Sequence, residues 1–141
     1  MDSQGGLRLL SRVGAVITES HIVYVSGRHG TAYVNKDALY PHTRETSELC
    51  RTIALYFMGV GIDVVIAPAV GGVILSQWTA HYLSDLEERE VLGVYADKDG
   101  DSFVIKRGYD KLIAGKNVLV VEDVLTPGGS AKKVIEAVRA S

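Results

Sequence analysis

Residues 118–131 read VLVVEDVLTPGGSA, and the reading of this stretch decides the fold. Val118, Leu119, Val120 and Val121 end in two adjacent acids, Glu122 and Asp123. Val124 and Leu125 then lead into Thr126-Pro127-Gly128-Gly129-Ser130, ahead of the helix-like KKVIEAVRA. A short β-branched run, a tight glycine loop and an amphipathic run predict a buried parallel strand, a turn and a helix N-terminus. Backbone N–H groups at a helix start favour a phosphate. Thr126 and Ser130 add hydroxyls, while Gly128 and Gly129 let the backbone come close. Two carboxylates beside such a nest repel the anion unless they act elsewhere, accepting hydrogen bonds from vicinal ribose hydroxyls or helping to hold a hydrated Mg²⁺. A sugar phosphate satisfies both halves. Read instead as a plain βα turn, the stretch gives the paired acids no use.

Composition narrows the rest. A chain of 141 residues, 47% hydrophobic and 23% charged, builds one core rather than two. A net charge of −2 provides no general drive toward nucleic acid or membrane surfaces. The single Cys50 excludes an internal disulfide framework and fits a reducing compartment. No apolar run approaches membrane-spanning length, and the N-terminus lacks the basic region and long apolar run of a secretory signal, so the cytoplasm is expected. The four His residues show no metal-ligand spacing, and neither a Ser-His-Asp order nor paired Cys occurs. No protein-built metal site and no hydrolase triad is therefore expected.

Outward from the opening stretch, residues 1–141 read as one domain, with residues 1–40 as an N-terminal part and 41–141 as the core. Leu7, Leu10, Val13, Gly14 and Ile17 recur at helical spacing and predict an amphipathic helix over about residues 6–16. HIVYVSGRHGTAYVNKD alternates apolar with polar around Ser26-Gly27-Arg28-His29-Gly30, as a β-hairpin with a basic turn does. DALYPH, residues 37–42, reads as a loop. Thr43 is the expected N-cap of a helix whose apolar stripe is Leu49, Ile53, Leu55, Tyr56 and Phe57, ending near Gly59 and Gly61. Cys50 falls on or beside that stripe, as a buried thiol rather than a nucleophile.

Residues 62–67 form the next apolar strand, breaking into Pro68-Ala69-Val70-Gly71-Gly72 before the helix VILSQWTAHYL. In an α/β sheet such loops gather at one carboxyl edge, so this is a second candidate anion loop; the alternative is a helix-start turn with glycine for close packing. Trp78 and Tyr82, four apart, read as core or interface aromatics. Residues 90–97 make a third strand. Residues 98–102, KDGDS, are the most loop-like segment, and their polarity predicts mobility. FVIKR fits an edge strand with solvated charges. A helical turn over 109–114 leads into the opening strand, and a last helix over about 130–140 buries Val134, Ile135 and Val138.

The run from the apolar strand through Glu122-Asp123, Val124-Leu125, Thr126 and Gly128-Gly129-Ser130 resembles the phosphoribosyl pyrophosphate (PRPP) signature of the type I phosphoribosyltransferases. Ser26-Gly27-Arg28 with Tyr33 and Asn35 is similar to the N-terminal segment of the orotate phosphoribosyltransferases within that family. The resemblance implies an α/β, Rossmann-like fold: a mostly parallel sheet flanked by helices under a small N-terminal hood, with the C-terminal part of the usual fold missing. It implies that Glu122 and Asp123 bind the ribose hydroxyls, and that Val124, Leu125, Thr126, Pro127, Gly128, Gly129 and Ser130 wrap the 5′-phosphate. Val70 and Gly71 then present N–H groups to the pyrophosphate, Lys98 and the later Lys106-Arg107 are the available cations, with Lys98 and Lys106 placed at PRPP, and Ser26, Gly27, Tyr33 and Thr126 contact the base. Two positions depart from the family pattern. Pro127 stands where a small residue is usual and removes one N–H donor; Val25 stands where a Lys usually precedes Ser-Gly.

Displacing pyrophosphate from the anomeric carbon builds positive charge on the ribose and negative charge on the leaving group. Carboxylates near the sugar and cations or N–H donors around the phosphates meet that need. Asp123 is the first candidate catalytic residue, with Glu122 and Lys98. Mg²⁺ is the expected cofactor, held mostly by PRPP and water. The expected activity is phosphoribosyl transfer from PRPP to a nucleobase, orotate first, by a homodimer that binds neither nucleic acid nor membrane. A purine-base enzyme and a non-catalytic PRPP or nucleotide sensor on the same fold remain the alternatives.

Overall fold

VVIAP is buried at all five positions, as a strand covered on both faces requires, and it forms the centre of the sheet. The computed structural model describes residues 16–17, 33–34, 36–122 and 130–141. Within them β1 (Val16–Ile17) and β2 (Tyr33–Val34) make a two-stranded antiparallel ladder. The core follows as α1 (Lys36–Leu39), α2 (Thr43–Phe57), β3 (Val64–Pro68), α3 (Val73–Glu87), β4 (Leu92–Asp99), β5 (Ser102–Val104), α4 (Tyr109–Ile113), β6 (Val118–Val120) and α5 (Ser130–Arg139). The four-stranded sheet has the order β5-β4-β3-β6; β4 and β6 run parallel to β3, and only β5 is antiparallel.

Alternation along β3 divides the core into two layers. Val65 and Ala67 pack with Cys50, Ala54, Leu75, Ala80, Leu83 and Leu119 beneath α2 and α3. Val64 and Ile66 pack with Val94, Ala96, Ile105, Ile113 and Val134 beneath α4 and α5. Each such fully buried Val, Leu or Ile contributes roughly 1.5–3 kcal/mol, so the mostly parallel α/β sheet flanked by helices is held from both sides. Gly93 admits α3 to β4: a Cβ there would stand 3.1–3.3 Å from Gln77, Ala80 and the Ser76 carbonyl.

Several local expectations are corrected. Val16 lies in a strand, not at the end of a helix, while residues 6–15 fall outside the described residues. The partner of Tyr33–Val34 is Val16–Ile17; the turn at residues 26–30 lies outside the described residues. Residues 36–39 form one helical turn where a loop was expected. His42, not Thr43, occupies the N-cap position of α2, without a side-chain cap. Thr46 closes the first turn instead, its hydroxyl 2.9 Å from both the His42 and Leu39 carbonyls. The buried line of α2 is Thr46, Cys50 and Ala54, with Ile53 and Phe57 partly buried; Tyr56 is 79% exposed, so the stripe lies one position off that expected. Residues 98–102 are a tight hairpin: Lys98 and Asp99 belong to β4, opposite Phe103 and Ser102 of β5. On α5, Val134 is buried and Ile135 exposed.

Cys50 is wholly buried, and burial pushes its thiol up to about 11, offset only in part by the Thr79 hydroxyl beside it. Against an ordinary 9.0, that rise cuts the thiolate fraction about 100-fold near pH 8. Alkylation of native protein by iodoacetamide is therefore expected to be at least two orders of magnitude slower than in urea, followed by mass spectrometry; comparable rates would refute the packing described for α2 and α3.

At the amino edge of the sheet, Asp63 ties three strands together. Its carboxylate accepts from the Asn117 N–H at 3.0 Å and Arg89 Nη1 at 3.2 Å, while Arg89 Nη2 donates to the Ile62 carbonyl at 2.7 Å. The Asn117 N–H first, then the charges of Arg89 and Lys116, hold the Asp63 carboxyl below its ordinary 3.8. A carboxyl depressed in the fold stabilises fully above its unfolded value and loses that contribution as pH falls through its folded value. The stability difference between wild type and Asp63→Asn, measured by urea unfolding, should be constant near neutrality and shrink below about pH 4. A difference that grows on acidification would contradict this assignment.

Candidate active site

Because β3, β4 and β6 are parallel, the segments leaving their carboxyl ends meet at one edge. Ile66 pairs with Val120, and the Val121 N–H donates to the Ile66 carbonyl at 2.9 Å. Glu122, partly buried, therefore lies level with the end of β3, where residues 69–72 begin. Residues 123–129, with Asp123, Val124, Leu125, Thr126, Pro127, Gly128 and Gly129, lie outside the described residues, and Ser130 is the first residue of α5. The strand and the helix that flank the opening motif thus stand as expected.

The loop after β3 sorts its amides into two groups. The Ala69 N–H donates to the Ala96 carbonyl at 2.8 Å, Gly72 to Pro68 at 3.1 Å and Val73 to Val70 at 3.2 Å. Among the described residues, the N–H groups of Val70 and Gly71 donate to nothing. Two successive amides left open in this way ahead of a helix N-terminus can donate to an anion, and they belong to the two residues that the family resemblance points to. The Ala69–Val70 peptide is cis, and the Val70 side chain is 86% exposed. The loop is anchored from two directions. Gly72 leaves no space, since a Cβ there would stand 2.8 Å from the Ala67 Cβ and 3.1 Å from the Pro68 carbonyl. The Tyr40 hydroxyl, from the turn after α1, donates to the Gly71 carbonyl.

A second group of charges lies at the carboxyl end of β4. Arg107 Nη2 meets Asp97 Oδ1 at 3.1 Å, and its guanidinium carbon lies 5.2 Å from the centre of the Tyr95 ring, which Tyr109 meets edge-on at 5.5 Å. The Asp97 hydrogen bond, then its charge, raise the guanidinium pKa. Asp97 Oδ2 is buried without a hydrogen-bond partner. Arg107 itself has φ 66°, the left-handed region in which a non-glycine residue is strained. Lys98 is exposed on β4 rather than in a mobile loop, and Lys106 is exposed just past β5. Asp97 and Tyr40 were not singled out in the sequence, and Arg107 was named there only as a cation beside Lys98 and Lys106. Their contacts cross a hairpin or span 31 residues, and no periodicity reports such pairings. Ser26 and Gly27 lie outside the described residues, while Tyr33 is placed on β2 opposite Ile17.

Mg²⁺ is the metal the sequence resemblance implies. Among the described residues no three His, Cys, Asp or Glu converge as a cage. The edge nevertheless offers hard oxygen donors in Glu122 and the half-paired Asp97, which suits a hydrated cation carried in by a phosphate ligand. A cavity of about 480 Å³ between β5, α4 and the end of α5 is lined by Phe103, Ile105 and Ala137 among others, and contains none of the site residues named above. The described helices include none long and apolar enough to cross a membrane.

Comparison with known proteins agrees with this geometry. The phosphoribosyl transferase domain family matches residues 37–141. An orotate phosphoribosyltransferase of Pelotomaculum thermopropionicum is 38% identical over 133 residues, covering 94% of this chain and 66% of the relative. One from a Thermoanaerobacter species is 34% identical over 138 residues, covering 98% and 68%. The crystal structure of orotate phosphoribosyltransferase from Aeropyrum pernix superposes with a TM-score of 0.56 at 25% identity, covering 94% of this chain and 72% of that one. The chain spans about two thirds of the length of the curated relatives it matches. With its parallel sheet, its open amide pair at the carboxyl edge and this match over most of its length, the chain belongs to the phosphoribosyl transferase domain family.

Proposed function

We propose that this chain binds PRPP across the carboxyl edge of the sheet and transfers its phosphoribosyl group to a nucleobase, orotate first, releasing pyrophosphate. The observation that carries the reading is the pair of unpaired amides at Val70 and Gly71 beside the strand end that bears Glu122. The names of the similar proteins support orotate as the base. In this reading the Val70 and Gly71 amides take the pyrophosphate oxygens. Arg107, whose direction Asp97 and Tyr95 set, adds a cation on the same side; Lys98 and Lys106 add exposed ones. Glu122 and Asp123 accept the ribose hydroxyls, and Asp123 offsets the positive charge that grows at the anomeric carbon. The segment 124–130 holds the 5′-phosphate, and Ser26, Gly27, Tyr33 and Thr126 border the base.

Bound Mg²⁺ neutralises pyrophosphate charge and so favours its departure. The reading carries with it a cytoplasmic setting, in which the buried Cys50 stays reduced, and a homodimer, as the family resemblance implies. The test is incubation with PRPP, Mg²⁺ and each of orotate, uracil, adenine, guanine, hypoxanthine and xanthine. Orotidine 5′-phosphate from orotate alone is the expected product. Turnover of a purine would transfer the activity to that base, and PRPP binding without any turnover would make the domain a sensor.

A further inference from the structure

We propose that Tyr40 is a positioning residue for pyrophosphate: its phenol holds the Gly71 carbonyl and thereby keeps the Val70 and Gly71 amides turned toward the ligand. The inference rests on the anion-binding reading of that loop, but the contact itself is independent of it. Tyr40 lies at the turn that joins α1 to α2, whereas Gly71 lies 31 residues further on, so the bond links the segment beyond β2 to the loop after β3. The ring packs partly buried against the α2–α3 side of the core, which fixes the hydroxyl in place. Of the other polar anchors of the loop, the Ala69 N–H on Ala96 and the Val73 N–H on Val70 act on different peptides, while the Gly72 N–H on Pro68 holds the opposite end of the same peptide unit that Tyr40 holds at its carbonyl.

The Gly71 carbonyl belongs to the peptide unit directly after the two open amides. Glycine at 71 and 72 restricts rotation little. Without the bond at that carbonyl, the peptide is held only through the Gly72 N–H on Pro68, so it tilts about that bond and the amide pair loses its common direction. Tyr40 thus converts a flexible glycine segment into a prearranged donor pair, and removal of the hydroxyl alone should weaken pyrophosphate and PRPP while sparing the base.

Tyr40→Phe keeps the ring and removes the donor. We expect the KM for PRPP and the dissociation constant of pyrophosphate with Mg²⁺ to rise about three- to tenfold, the loss of one hydrogen bond. The KM for orotate should be unchanged, and the thermal midpoint should fall by no more than a few degrees, the loss of one hydrogen bond. A purely structural tyrosine would weaken both substrates together, and that outcome, like unchanged PRPP binding, overturns the inference. A second variant carries 3,5-difluorotyrosine at position 40, whose phenol ionises near neutral pH and then no longer donates. Its PRPP affinity should fall more steeply than that of wild type as pH rises through neutrality; parallel pH profiles overturn the proposal. Wild type that binds neither PRPP nor pyrophosphate sinks the PRPP reading itself, and the role of Tyr40 with it, which separates the two failures.

Discussion

Asp123→Asn is expected to lower turnover by roughly 10²–10³-fold while leaving PRPP affinity nearly intact. The magnitude follows from charge. A carboxylate about 5 Å from a unit positive charge, at an effective dielectric of about 20, contributes ~3 kcal/mol, which is about 10²-fold in rate. Asparagine keeps an acceptor for a ribose hydroxyl but carries no charge to set against the ring as pyrophosphate departs. The ground state loses little and the transition state loses much, so kcat and kcat/KM fall together. Glu122→Gln should have a smaller effect on kcat, because Glu122 follows β6 directly and is partly buried among protein contacts. Steady-state kinetics on both variants decide the order; a larger loss at Glu122 would reverse the roles.

Gly72→Ala is the second large effect. The added methyl would approach the Ala67 Cβ at 2.8 Å and the Pro68 carbonyl at 3.1 Å, and both neighbours belong to the buried central strand, which cannot yield. Overpacking of this kind costs about 1–3 kcal/mol. Relief comes through the 69–72 loop, whose Gly72–Pro68 and Val73–Val70 bonds must lengthen, and the amide pair moves with it. The expected result is a folded protein with its thermal midpoint lowered by several degrees and pyrophosphate binding lost. A variant that binds pyrophosphate as wild type does would show that the loop geometry is not what selects the anion.

Sequence made the sheet legible because each strand carries its own signal. VVIAP and VLVV are continuous apolar runs rich in β-branched residues, the mark of strands in a covered sheet; the first is buried throughout, and the second is buried at Leu119 and half-buried at Val118 and Val120. The parallel arrangement then follows from the helices between them, and so does the meeting of both loops at one edge. The break at residues 69–72 was legible as a loop at that edge, and Gly72 within it serves the close packing that a helix-start glycine allows. What failed was governed by contacts distant in sequence. Asp99 and Ser102 pair across Gly100 and Asp101, so a polar segment that reads as a loop is a hairpin. Tyr56 belongs to an apolar run but faces away from the sheet, because Thr46, Cys50 and Ala54 claim the buried line of α2. Tyr40 reads as one aromatic in a turn, and only the folded chain brings it to Gly71.

The most direct test of the account is a crystal structure of this chain with PRPP and Mg²⁺ bound. The account predicts pyrophosphate oxygens within hydrogen-bond distance of the Val70 and Gly71 N–H groups, ribose hydroxyls on Glu122 and Asp123, and the 5′-phosphate against residues 126–130. PRPP seated elsewhere, or those two amides paired with protein in its presence, would contradict it.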